Sequence, residues 1–197
     1  SYKFGSISTI RKSQLKFIGT KESSNWIKNL LINKIENQIS ILITYEKEIY
    51  KGEVKNFKSE LNFLANIKNR IQDTPNKNLE EISSTLRGLE GNASKKYFKS
   101  LNRFLPEKYS FLKRSSRPAL DIFNALINYG YGILYSKIEA SLIRAGLDPY
   151  IGVFHRDEYN RPVLVFDVIE KYRVWVDFVV IELCLQDAFI HECFSKK

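Results

Sequence analysis

The sequence predicts a mainly α, multi-helical domain, and three observations carry that prediction. Apolar residues recur at helical spacing through several long stretches, and no segment alternates as a half-buried strand would. Of the 197 residues, 44% are hydrophobic and 27% charged, with thirteen Phe and eleven Tyr, enough apolar bulk for a substantial core. At most two short extended segments are expected, around 151–154 and 163–166, where apolar residues run together.

Taken in order, residues 1–20 are mixed and basic, with Arg11, Lys12 and Lys16, and read as a linker with room for a short helix. Ser23 or Ser24 is placed to cap the next helix. That helix carries Ile27, Leu30, Leu31, Ile35, Ile39 and Leu42 as its stripe, and Gly52 marks its break. A second helix holds Val54, Phe57, Leu61, Leu64 and Ile71 on one face before the turn at Asp73, Thr74 and Pro75. A third begins near Asn78, with Leu79, Ile82, Leu86, Leu89 and Ala93 facing inward and Gly88, Leu89, Glu90, Gly91 at its middle.

Pro106 and the basic run from Lys113 to Pro118 form a loop. Residues 119–144 are one long apolar helix, or two broken near Gly130 and Gly132. Gly146 has the place of the residue just past a helix end, and Pro149 prevents continuation. Asp167 is expected to open the last helix, which runs to about Cys184. Residues 21–197 thus read as one helical domain.

The net charge of +9 favours anionic partners, nucleic acid first among them. Cys184 and Cys193 make no zinc-ligand pattern, so a reduced, cytoplasmic setting is expected. The most apolar stretch, 122–143, is interrupted by Asn124, Asn128, Lys137 and Glu139 and does not read as a membrane span. The absence of any Met, even at position 1, is what a piece of a longer protein would show.

Four residues stand out for chemistry. Glu90 lies beside a buried helix face, where a carboxylate without a counter-charge is costly, and is flanked by Gly88 and Gly91, which leave room for close approach. His155 follows the apolar run 151–154 at the edge of a core. Asp167 and Glu170 are spaced i, i+3, which brings two repelling carboxylates to one helix face unless a cation lies between them. Helix capping explains Asp167 equally well, so Glu170 is the better candidate ligand. Together they offer one imidazole and three carboxylates, a set compatible with Mg2+ or Mn2+ and not with a structural zinc. The string His191, Glu192, Cys193 lacks metal-ligand spacing.

These pieces in this order resemble the CRISPR-associated adaptation integrase family. The resemblance is carried by Leu31-Ile-Asn-Lys-Ile-Glu-Asn-Gln38, by Arg87-Gly-Leu-Glu-Gly-Asn-Ala-Ser-Lys-Lys-Tyr97 and by the helix from Arg117 to Tyr131. Gly146-Leu-Asp-Pro-Tyr-Ile-Gly-Val-Phe-His155 and Asp167-Val-Ile-Glu-Lys-Tyr-Arg173 complete it. It implies the helical catalytic domain of that family, without the small N-terminal β-domain that builds its homodimer and with a short C-terminal segment. By resemblance Glu90, His155 and Glu170 are metal ligands with Asp167 beside them, and Lys113, Arg114, Arg117 and Tyr131 contact DNA. The implied reaction is attack of a DNA 3′-hydroxyl on a repeat phosphodiester, on double-stranded and branched DNA, with a small adaptor dimer as partner. A place within a reverse-transcriptase fusion fits the missing segments. Two alternatives stand beside it: a basic DNA-binding module without turnover, and a helical domain whose acidic cluster binds a protein.

Overall fold

A computed structural model describes residues 5–49, 56–155 and 161–188. Among the described residues seven α-helices follow one another: α1 (Gly5–Phe17), α2 (Lys21–Ile49), α3 (Lys58–Asp73), α4 (Leu79–Leu101), α5 (Ile122–Arg144), α6 (Val163–Ile169) and α7 (Arg173–Leu185). A 3-10 turn, Glu107–Tyr109, lies between α4 and α5, and no strand occurs among the described residues.

The apolar stripe of the 29-residue α2 organises the domain. Leu31, Ile35, Leu42 and Tyr45 are buried against Leu64, Ile67 and Ile71 of α3, Leu86, Leu89 and Tyr97 of α4, and Ile181 of α7. A second cluster joins Ile138 and Leu142, from the C-terminal half of α5, to Leu164, Val165 and Ile169 of α6. Each fully buried Leu or Ile contributes about 1.5–3 kcal/mol, so these stripes and not helix propensity hold the bundle.

The helix ends follow local chemistry, with one difference from expectation. Asn78 and Asp121 cap α4 and α5, accepting from the amides of Glu80 and Asn124. For α2 the cap is Thr20, whose hydroxyl accepts from the Ser23 amide at 3.1 Å, and not Ser23 or Ser24. Gly146 takes the positive φ of +79° that ends α5, with the Leu147 amide returning to the Leu142 carbonyl. The segment read as a linker contains α1, which is tied to the turn after α5. Gln14 exchanges two hydrogen bonds with the Asp148 backbone, and Arg11 pairs with its carboxylate at 2.9 Å.

Several expectations are corrected. Residues 163–166 are the first turn of α6, not an extended segment: Pro162 sets the helix start and Val163, Leu164 and Val165 are buried. Residues 151–154 form a bent loop without strand partners. The last helix is two helices, broken at 170–172, where amides return to carbonyls three residues back. Asp167 therefore sits inside α6 and opens no helix. Of the two readings of 119–144, the single helix holds: α5 is unbroken at Gly130 and Gly132. A Cβ on Gly130 would lie 2.5 Å from Val176 Cγ1, so this glycine brings α5 and α7 together. Gly52, Val54 and the tail with His191 lie outside the described residues.

Candidate functional site

The break between α6 and α7 gives the two clustered carboxylates separate tasks. Asp167 points back into the loop before α6. Its Oδ2 accepts from the amides of Val153 (2.6 Å) and Phe154 (3.1 Å). Its Oδ1 accepts from the His155 amide at 2.9 Å and lies 2.7 Å from His155 Nδ1. One carboxylate with no exposed side-chain surface thus fixes both the backbone and the ring of His155. With a proton on Nδ1 donated to Asp167, Nε2 carries the free lone pair, the arrangement used to orient a metal-binding or proton-accepting imidazole. Arg87 closes the loop from α4, donating to the Phe154 carbonyl at 2.8 Å.

Glu170 points the other way, toward α2 and α4. Its Oε2 lies 2.6 Å from Lys34 Nζ, and the same ammonium donates to Glu90 Oε1. Ser94, one turn along α4, also donates to Glu90 Oε1, at 2.9 Å. Arg173, in the first turn of α7, holds Glu170 Oε1 at 3.1 Å. Two cations and two carboxylates cancel in charge, and Lys34 and Glu170 are almost fully buried. Burial alone would raise the Glu170 carboxyl. Arg173 and then Lys34 outweigh it and bring it down to about 2. Burial alone would likewise lower Lys34, but Glu170 and Glu90 raise it above its ordinary value.

Behind this cluster is a further buried acid, Asp177 of α7. Tyr131 donates to its Oδ1 at 2.6 Å and Tyr97 to its Oδ2 at 3.1 Å, joining α5, α4 and α7. Burial raises its carboxyl to about 6, against the opposing pull of the two hydroxyls. The guanidinium groups of Arg173 and Arg114 lie over the Tyr131 ring, 4.9 and 5.5 Å from its centre.

The Lys34 cluster lines a cavity of about 820 Å³ whose cationic rim is formed by Lys95, Lys99, Lys113, Arg114 and Arg173. Two buried polar atoms of residues lining it, Gln38 Oε1 and Arg173 Nε, have no hydrogen-bond partner. His155 borders a separate recess of about 210 Å³ with Arg87 and Ser83.

The structure therefore gathers Glu90 and Glu170 onto one cation and pairs His155 with Asp167. Among the described residues, no cluster of three or more His, Cys, Asp or Glu side chains is placed to hold a metal ion. The two glutamates are hard oxygen donors already converging on a positive charge, so they fit Mg2+ or Mn2+ in kind. The third expected ligand, His155, is held by Asp167 and lies near enough to Glu170 to help lower its carboxyl. Gly88 and Gly91 face open space, with nothing within 4 Å of where a Cβ would be.

Of the residues expected to meet DNA, Lys113 and Arg117 are exposed. Arg114 is drawn inward, donating to Asn124 Oδ1 (2.8 Å), Asn128 Oδ1 (2.6 Å) and the Ser115 carbonyl. The Tyr131 hydroxyl is directed to Asp177. Lys34, Gln38, Arg173 and Asp177 were not among the expected site residues. Their signal was present: Lys34 and Gln38 fall three and seven residues after Leu31, on the buried stripe of α2. Asp177 likewise lies on the stripe of Val180, Ile181 and Cys184.

The described residues thus form an all-helical domain that seats paired glutamates beneath a basic cavity. The family described as CRISPR associated protein Cas1 matches residues 3–197, and this chain belongs to it. It is 32% identical over 175 residues to CRISPR-associated protein Cas1 3 of Methanobrevibacter ruminantium, covering 88% of this chain and 52% of that protein. It is 33% identical over 183 residues to CRISPR-associated endonuclease Cas1 1 of Archaeoglobus fulgidus, covering 88% and 53%. The chain thus spans about half the length of these curated relatives. Among solved structures, a chain of a partial Cas6-RT-Cas1–Cas2 complex superposes with a TM-score of 0.81 at 30% identity, covering 93% of this chain and 52% of that one. A casposase bound to integration product shares the fold, with a TM-score of 0.80 at 22% identity over 95% and 50%.

Proposed function

We propose that this chain is the helical catalytic part of a CRISPR-associated integrase and endonuclease that joins DNA by metal-dependent transesterification. The observation that carries the reading is the convergence of Glu90 and Glu170 on one buried positive charge beneath a cavity rimmed by lysines and arginines. In the reaction, a DNA 3′-oxygen forms a bond to phosphorus in a repeat phosphodiester while the original ester bond breaks. Its hydroxyl proton is lost and the released 3′-oxygen gains one. Glu90 and Glu170 would hold Mg2+ or Mn2+, with His155 offering Nε2. Such an ion, when bound, supplies Lewis-acid stabilisation of charge on the phosphoryl and leaving oxygens.

The remaining residues act by position and charge. Asp167 holds the His155 ring and backbone together. Arg173 anchors Glu170 and presents a guanidinium to the cavity where a phosphate would sit. Lys95, Lys99, Lys113 and Arg117 attract the DNA backbone. Double-stranded and branched DNA are the substrates. The resemblance to a chain of a Cas6-RT-Cas1–Cas2 complex supports a Cas2-type adaptor dimer as partner and a reverse-transcriptase fusion as setting. No helix of the described residues is long and apolar enough to cross a membrane.

The test is a strand-transfer assay with a labelled 3′-hydroxyl duplex and a branched repeat target in Mn2+. Joined product is expected from the unaltered chain, and none from His155→Ala or from a 3′-deoxy donor. Full activity in His155→Ala would overturn the assignment of the site. A second reading, a DNA-binding module without turnover, is favoured by the lack, among the described residues, of three or more His, Cys, Asp or Glu side chains placed to hold one ion. Salt-dependent DNA binding with no Mn2+ heat in calorimetry would select it.

A further inference from the structure

The distinctive feature of the site is that its cation position is already filled by the protein. Lys34 reaches from the buried stripe of α2 to lie between Glu90 and Glu170, which come from α4 and the α6–α7 break. Nothing local obliges these two carboxylates to meet. Without a positive charge between them their repulsion would push them apart.

Yet Lys34 satisfies the pair incompletely. Its single ammonium is divided between Glu90 Oε1 and Glu170 Oε2, the latter at 2.6 Å. Arg173 Nε and Gln38 Oε1, which line the same cavity through their residues, are buried and unpartnered. The carboxylates are thus assembled and charged, share one ammonium, and lie beside two polar atoms without partners. Lys34 itself borders the cavity of about 820 Å³, so its flexible stem has a space into which to withdraw.

Charge counting favours exchange over addition. With Lys34 in place, Glu90, Glu170, Lys34 and Arg173 sum to zero. A divalent ion added beside Lys34 would leave a buried charge of +2. With the ammonium withdrawn, the ion, Arg173 and the two carboxylates sum to +1, which one phosphodiester charge neutralises. We infer that Lys34 is an exchangeable placeholder: its ammonium holds Glu90 and Glu170 in register until a divalent cation displaces it into the cavity. This rests on the metal-dependent reading above and adds to it that cation affinity is set by competition with a residue of the chain itself.

The consequence is measurable. When only a fraction of molecules has the site open, apparent affinity falls by that fraction, so an open population of about one in ten weakens binding about tenfold. Mn2+ titration by calorimetry is compared between the unaltered chain and Lys34→Met. The variant should bind Mn2+ about tenfold more tightly, melt at a lower temperature without metal, and show the larger rise in melting temperature on adding Mn2+. A second readout needs no variant. Mn2+ should increase acylation of Lys34 by acetic anhydride, read by peptide mass spectrometry. Lys28, equally buried but bonded to the Thr74 carbonyl, serves as the unchanging control. Mn2+ heat in the unaltered chain with the same or weaker affinity in Lys34→Met overturns the placeholder and leaves the metal reading standing. So does Mn2+ heat with no change in Lys34 acylation, should the variant fail to fold. No heat in either protein overturns both.

Discussion

Tyr131 and Asp177 are joined by a 2.6 Å hydrogen bond from the middle of α5 to α7, and Tyr97 of α4 completes the same carboxylate. This contact locks three helices around an acid that burial pushes up to about 6 from an ordinary value of 3.8. Removing the hydroxyl with Tyr131→Phe should destabilise the fold by about 1.5–3 kcal/mol, the range for a hydrogen bond to a charged group. Urea unfolding at pH 7 measures it.

Asp177 also gives stability a pH dependence of known sign. The folded chain keeps this proton to higher pH than the unfolded chain, so stability falls as pH rises from about 4 to about 6 and is flat beyond, a loss of about 3 kcal/mol. Glu170 acts in the opposite sense. Its carboxyl is lowered to about 2, so its contribution is present above 4.5 and is lost as pH falls toward 2. Asp177→Asn should flatten the fall between pH 4 and 6 while leaving the acid limb intact. A slope unchanged in that variant would place the titrating group elsewhere.

The close approach of α5 and α7 at Gly130 predicts a rescue. Gly130→Ala puts a methyl 2.5 Å from Val176 Cγ1 and should cost about 1–3 kcal/mol by overpacking. Adding Val176→Ala should return part of that loss, whereas two independent sites would simply add. Thermal melts of the two single variants and the double variant decide between these.

Asp167 serves three amides and one imidazole, so Asp167→Asn, which keeps the shape but removes half the accepting capacity, should cost about 2 kcal/mol. Hydrogen exchange should quicken at the amides of Val153, Phe154 and His155 and stay unchanged in α3. Uniform quickening would mean that the carboxylate stabilises the whole fold and not this loop.

For DNA, exposed and internally bonded cations should behave differently. Lys113→Ala or Arg117→Ala should each reduce the slope of log affinity against log salt by about 0.9, the value for one lost phosphate contact. Arg114→Ala should instead lower the melting temperature, because Arg114 ties the 113–116 loop to Asn124 and Asn128. Fluorescence anisotropy at several salt concentrations separates the two effects.

The helical class and most of the core stripes were legible because a 3.6-residue period survives without tertiary information: Leu31, Ile35 and Leu42 announce their burial by spacing alone. The start of α6 was not legible. Four apolar residues, 163–166, suit a strand or a helix turn equally, and only packing on Ile138 and Leu142 decides. The partners of the candidate residues were likewise hidden. Asp167 at i, i+3 from Glu170 suggested one shared face, but the break at 170–172 turns the two carboxylates to different neighbours. Lys34, 56 residues from Glu90 in sequence, meets it only through the packing of α2 on α4. A lysine on an apolar stripe is the one trace of that meeting which spacing could reveal.

Asp167 lies in the last turn of the seven-residue α6 and Glu170 caps its end, three residues on, and Asp167 carries His155 with it. The offset between imidazole and carboxylate is consequently measured by helical pitch, as on a ruler, and not by the reach of side chains. A ruler of this kind is insensitive to sequence drift in the chain between His155 and α6.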